Sequence, residues 1–191
     1  MPWEKLRFRL TLLVTALWVC SGLVRAQQSA IDLDGRAVNP LAADSGKVVV
    51  LVFVRSDCPV SSRYAPVIQQ ISKQYADHAS FWLVFPDKSE TPLTIRKYLE
   101  DYGYRLPVLR DPERALVKLG HAQITPEVAV FDRTHHLIYD GRIDDWYVDL
   151  GRARPAPTTH ELDDAIRAAL AGSSVARSEV RGVGCYISDL E

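Results

Sequence analysis

The chain has 191 residues, 47% of them hydrophobic and 25% charged, and its formal net charge is −1. That length and balance fit one folded domain with a full core and argue against a disordered polypeptide. No block of one charge sign interrupts it, which argues against nucleic acid as a partner.

The first 26 residues read as a leader. Lys5, Arg7 and Arg9 form a basic start, Leu10 to Leu23 an apolar stretch, and Val24-Arg25-Ala26 places small residues at the cleavage positions. At about 14 residues the apolar stretch is short for a span, so a signal peptide cleaved after Ala26 is expected. The mature protein would then be exported, periplasmic or extracellular, with no stable membrane anchor. Cys20 is no lipidation site, because Val19 stands where a lipoprotein signal requires Gly, Ala or Ser. Cleavage removes four basic residues and one acidic residue, leaving 19 basic, 23 acidic and a net charge of −4. Two cysteines remain, Cys58 and Cys185, and an even pair in an exported protein is a disulfide candidate.

Residues 27–172 are expected to form one domain. Around Ile31–Arg36 the chain reads as a short strand and turn. Lys47–Val54 is apolar at nearly every position, which predicts a central strand buried on both faces. It gives way to Asp57-Cys58-Pro59-Val60-Ser61-Ser62 and then to apolar residues Val60, Tyr64, Val67, Ile68, Ile71 and Tyr75 at helical spacing. Pro59 suits a first helical position, and Pro66 is expected to bend the helix, which runs to about Ala76. A cysteine between a buried strand and a helix start is placed for reactivity, since helix N–H groups stabilise a thiolate.

Ser80–Phe85 predicts a second buried strand. Thr91-Pro92 opens a helix to about Tyr102, Leu106–Leu109 a short strand, and Asp111-Pro112 another helix to about Leu119. Glu127–Phe131 and Leu137–Gly141, separated by Asp132-Arg133-Thr134-His135, predict an antiparallel hairpin. Residues 144–157 read as a long loop with Asp144 and Asp145 as solvated, turn-forming acids. Thr158-Thr159-His160-Glu161 has the pattern of a capping box for a helix Glu161–Leu170 ended by Gly172. Residues 173–191 form a tail without a clear period that carries Cys185. Strands alternating with helices, then a hairpin and a helix, predict an α/β three-layer sandwich with a mixed central sheet. Sites in such sheets lie beyond the carboxyl ends of the strands, where Cys58 falls.

Strand–Cys58-Pro59–helix, Pro66 eight residues after Cys58, Ile124-Thr125-Pro126, and a terminal hairpin plus helix make the chain resemble the thioredoxin-fold redoxins. Glu127, Gly141-Arg142-Ile143-Asp144-Asp145 and Gly184-Cys185-x-Ile187 make it look most like their peroxiredoxin-like, AhpC/TSA-type group. The resemblance implies a thioredoxin-like fold with an inserted helix–strand unit between residues 91 and 110. It also implies a cis-proline loop at Thr125-Pro126 facing Cys58. The chain departs from the pattern twice. Thioredoxins carry Cys-x-x-Cys where this chain has Cys58-Pro59-Val60-Ser61, and peroxiredoxins place Thr or Ser where Arg55 stands.

These residues outline a thiol-dependent oxidoreductase without a cofactor or metal. A single thiolate attacks a disulfide or a peroxide, and either product needs a second thiol to resolve it. Cys58 is the expected nucleophile and Cys185 the resolving cysteine on a mobile tail. Its partners would be a protein disulfide or thiol, or a peroxide, and an external thiol reductant. Thr125 is expected to hold a substrate through its backbone, and Ser61 or Arg63 to support the thiolate. Glu127 is a candidate proton shuttle. Arg55, His135 and His136 read as surface residues, and Trp146 and Tyr147 as a partner rim or loop packing. Two other readings stand beside this one. One is a copper-handling thioredoxin-fold protein; the other is a binding module in which Cys58 and Cys185 form a permanent disulfide.

Overall fold

A computed structural model describes residues 30–43 and 46–187. The expected leader therefore lies outside the described residues. Twelve strands and five helices are described. The chain opens with β1 (Ala30–Ile31), β2 (Ala37–Val38) and α1 (Pro40–Ala43), then β3 (Val48–Phe53), α2 (Pro59–Gln74) and β4 (Ala79–Phe85). It continues through α3 (Pro92–Asp101), β5 (Val108–Arg110), α4 (Ala115–Leu119), β6 (Ile124–Thr125), β7 (Glu127–Phe131) and β8 (Leu137–Gly141). The last elements are β9 (Tyr147–Asp149), β10 (Arg152–Ala153), α5 (Glu161–Ala171), β11 (Glu179–Val180) and β12 (Cys185–Tyr186).

Eight strands make one mixed sheet in the order β11-β8-β7-β3-β4-β5-β1-β2. The apolar run that predicts a doubly buried strand is β3, fully buried at all six residues and flanked by parallel β4 and antiparallel β7. Its alternate side chains feed two cores. Val48, Val50 and Val52 meet Tyr64, Ala65 and Ile68 of α2 and Leu162 and Ile166 of α5. Val49, Leu51 and Phe53 meet Leu116 and Val117 of α4 on the other side. Helices on both faces of a mixed sheet make the three-layer, thioredoxin-like sandwich. The hairpin β7–β8 and the inserted α3–β5 unit fall where the sequence placed them. Among the described residues no helix is long and apolar enough to cross a membrane.

Four local expectations are corrected. The strand expected at Leu106–Leu109 starts at Val108, because Pro107 has no N–H for the ladder and only its carbonyl is used, by Leu83. The helix expected from Asp111-Pro112 starts at Ala115, and Asp111 instead receives the N–H groups of Ala115, Leu116 and Val117, each at 2.9 Å. The capping box is not formed. Thr158 gives both its N–H and its hydroxyl to Asp145, Glu161 pairs with Arg142, and His160 occupies the cap position without a side-chain bond. Residues 144–157 hold the β9–β10 hairpin, and Asp144 and Asp145 are buried rather than solvated. Tyr64 donates to Asp144 at 2.5 Å, and Arg154 pairs with Asp145 at 3.2 Å. Trp146 and Tyr147 pack on Tyr64, with ring centroids 5.5 and 6.0 Å away, which holds this loop against the Cys58 helix.

Candidate active site

Cys58 caps α2 at the carboxyl end of β3, with extended backbone and Pro59 at the first helical position. Its carbonyl accepts the first helical bond, from the N–H of Ser62 at 3.1 Å. The side chain is fully buried, and its Sγ donates to the Thr125 carbonyl at 3.1 Å. Thr125 and Pro126 are joined by a cis peptide bond. The loop implied by the resemblance thus faces the sulfur.

Cys185 comes back to this point from the end of the chain. Strand β12 pairs antiparallel with β6, setting Cys185 opposite Thr125 and Tyr186 opposite Ile124. Both cysteines are free thiols. Burial raises the pKa of Cys58, but hydrogen bonds from Cys185, from the hydroxyl and N–H of Ser61, and from Thr125 outweigh it, and the net direction is down. Burial and the bond to Cys58 push Cys185 up to about 12. The two thiols are thus shifted in opposite directions, Cys58 down and Cys185 up.

The other expected residues separate. Ser61 is buried beside the sulfur, whereas Pro59 and Arg63 are exposed on α2. Glu127 is buried, but its carboxylate is engaged with the N–H groups of Gln123 at 2.8 Å and Ile124 at 3.2 Å, ahead of the cis-proline. Those bonds brace the loop, and burial raises the carboxyl pKa against them. Arg55 is not a solvated arginine. Its side chain is 19% exposed, pairs with Asp57 at 2.7 Å and Asp87 at 3.3 Å, and donates to the Tyr186 carbonyl at 3.3 Å. His135 and His136 lie in the β7–β8 turn, and among the described residues no three His, Cys, Asp or Glu are grouped to hold a metal ion.

One residue escaped the sequence reading. Glu90, 7% exposed, accepts the N–H of Ser56 at 2.7 Å, while its second oxygen is buried with no partner. A lone acid in a polar loop has no periodic signal, so only the fold brings it to the cysteine loop. Burial raises its pKa, against the Ser56 bond that lowers it. A raised folded pKa means that the unfolded chain ionises first, so this contribution to stability is present at low pH and lost as pH rises from 4.5. Glu90→Gln is accordingly expected to gain stability on the wild type between pH 4 and pH 7. Melting curves across that range check it; a difference independent of pH would refute the assignment.

A capping cysteine at the end of a central strand, opposite a cis-proline loop on this mixed sheet, defines the thioredoxin-like class. The chain belongs to the redoxin family, whose model matches residues 24–146, a span that holds Cys58, Thr125 and Pro126 but not Cys185. No curated protein sequence matches it. Among solved structures, it is similar to an uncharacterized conserved protein from Geobacillus kaustophilus, with a TM-score of 0.71 and 24% identity over 83% of this chain and 86% of that one. A hypothetical protein from Sinorhizobium meliloti gives 0.69 and 23%, over 83% and 88%. A secreted Mycobacterium tuberculosis disulfide oxidoreductase gives 0.53 and 17%, over 74% and 96%. At these identities the solved structures establish the fold.

Proposed function

We propose that this protein is a thiol–disulfide oxidoreductase in which Cys58 is the nucleophile and Cys185 the resolving thiol. The observation that carries the reading is the pairing of β12 with β6, which brings Cys185 to Cys58 across the Thr125 backbone. Membership of the redoxin family and the likeness to a secreted disulfide oxidoreductase support the class of chemistry. The Cys58 thiolate attacks one sulfur of a substrate disulfide; a mixed disulfide forms and one substrate thiolate leaves. Cys185 then attacks the Cys58 sulfur, closing Cys58–Cys185 and releasing the second substrate thiol. The Cys185 proton goes to the departing sulfur. Two electrons pass to the substrate, and an external dithiol reopens the internal disulfide.

Exchange is favoured over peroxide reduction by the surroundings of the sulfur. Arg55, which stands where peroxiredoxins carry Thr or Ser, is held by Asp57, Asp87 and the Tyr186 carbonyl. Thiol trapping across a redox buffer series tests the reading. A reversible Cys58–Cys185 couple above about −250 mV is expected; a disulfide still closed below about −300 mV would mark a structural staple and overturn it.

Export belongs to the same reading, supported by the basic and apolar leader and by the secreted relative in fold. Expressed with its own leader in a Gram-negative host, the mature protein is expected in the periplasm, beginning at Gln27. Amino-terminal sequencing checks this, and an intact Met1 would refute it.

A further inference from the structure

Strand β6 stands outside the main sheet, and its partner is the chain's own tail. Among the described residues, short contacts seat the tail on β6, and the Arg181 guanidinium adds a bond to the Gln123 side chain at 3.3 Å. The pairing spans two residues on each strand, and the N–H of Ile187 adds a bond to Gln123 at 3.0 Å. Arg55 holds the Tyr186 carbonyl, and the Thr125 hydroxyl reaches that of Cys185 at 3.4 Å. Only Gly184 and Ile187 of residues 181–187 are buried, and the Tyr186 side chain is 70% exposed. So short an edge pairing opens at far lower cost than the core strands. While it is closed, Cys58 is fully covered, so no external disulfide can meet its sulfur.

The seat also has a shape. A Cβ added at Gly184 would lie 2.0 Å from the Thr125 carbonyl oxygen and 2.7 Å from its carbon. Those are backbone atoms and cannot swing aside. Any strand lying here in the tail's register, with its cysteine opposite Thr125, must therefore carry glycine just before that cysteine.

We propose that the tail is a tethered occupant of the substrate seat, displaced by extended polypeptide segments that carry Gly-Cys. This deepens the exchange reading and rests on Cys58 being its nucleophile. The incoming strand pairs with Ile124 and Thr125, its disulfide sulfur takes the place of Cys185, and the Cys58 thiolate attacks it. The tail then returns with Cys185 to resolve the product. One element thus both covers the nucleophile and completes the reaction.

Full-length Cys185→Ser that also carries Cys20→Ser keeps Cys58 as its single thiol and isolates the first step. The probes are the heptapeptide Arg-Gly-Val-Gly-Cys-Tyr-Ile with its cysteine in disulfide linkage to thionitrobenzoate, the same peptide with Ala before Cys, and dithiobis(nitrobenzoate) itself. Attack of Cys58 on the peptide sulfur forms the mixed disulfide and releases coloured thionitrobenzoate, the better leaving group. The Gly peptide is expected to react at least tenfold faster than the Ala peptide. Adding Gly184→Val, which bars the tail from the seat, is expected to speed the small disulfide and the Gly peptide at least tenfold. Should Gly184→Val fail to fold, Ile187→Ser releases the tail from its other end. Equal rates for the two peptides, or rates untouched by releasing the tail, overturn the proposal while leaving Cys58 as nucleophile. Silence toward the small disulfide in every variant overturns the nucleophile and the seat together.

Discussion

Cys58→Ser is expected to abolish thiol turnover, a loss on the order of a thousandfold or more, with the fold intact. A serine hydroxyl occupies nearly the same volume and can donate to the Thr125 carbonyl as the thiol does, so little packing is lost. It does not ionise near neutral pH, and the bonds from Ser61 and Cys185 that favour the Cys58 thiolate have no anion to act on. Cys185→Ser should differ in kind. The first attack survives, the product stays bound to Cys58, and intact-mass analysis finds the chain plus one substrate thiol. Turnover assays with both variants, alongside thermal melts, separate the alternatives. Activity retained in Cys58→Ser sinks the assignment. An equal loss of melting temperature in both variants, under oxidising conditions only, would identify a staple.

What was legible in the sequence follows from how far each signal reaches along the chain. β3 was plain because a doubly buried strand leaves an unbroken apolar run, and α2 because its apolar residues recur at helical spacing behind Pro59. Cys58 could be picked out for the same reason, since it marks the junction between those two patterns. Arg55, Glu90 and Asp145 were misread or missed because their roles depend on partners distant in sequence, Tyr186, Ser56 and Thr158 respectively. An exposed arginine and a clamped one look alike in sequence. The pairing of the tail with β6 could not be read from the sequence, because a two-residue pairing has no period to detect. Its clue was chemical: a glycine directly precedes the cysteine, and the Thr125 backbone lies where a side chain at Gly184 would be. Asp144 and Asp145 invite a turn reading by composition, yet each is buried by serving groups brought to it by the fold, Tyr64 for one and Thr158 with Arg154 for the other.

Asp111→Ala should be among the most destabilising single changes in the chain, at about 3 kcal/mol or more, although residue 111 is remote in sequence from both cysteines. The side chain is fully buried, and its two oxygens receive three N–H groups from the first turn of α4. Alanine leaves those donors without partners in a low-dielectric site, which costs about 1–3 kcal/mol for each one that relaxation or water cannot serve. For a domain of this size the melting temperature should fall by about 10 °C. Asn keeps one acceptor oxygen in place, so Asp111→Asn is expected to lie between alanine and wild type. The effect should also reach the site, because α4 delivers the cis-proline loop. Its end is fixed by the N–H of Gly120 on Leu116 at 2.8 Å and of Ala122 on Val117 at 3.1 Å. A Cβ at Gly120 would lie 2.8 Å from that of Ala129, so the following chain has one close-fitting path to Gln123 and Thr125. Loosening α4 therefore slackens the carbonyl that faces Cys58 and the edge that seats the tail. Hydrogen exchange at the Ile187 amide, bonded to Gln123, reports this directly: faster exchange in Asp111→Ala, beyond what its lower global stability accounts for, is the expected result. Unchanged exchange there would confine Asp111 to the stability of its own helix.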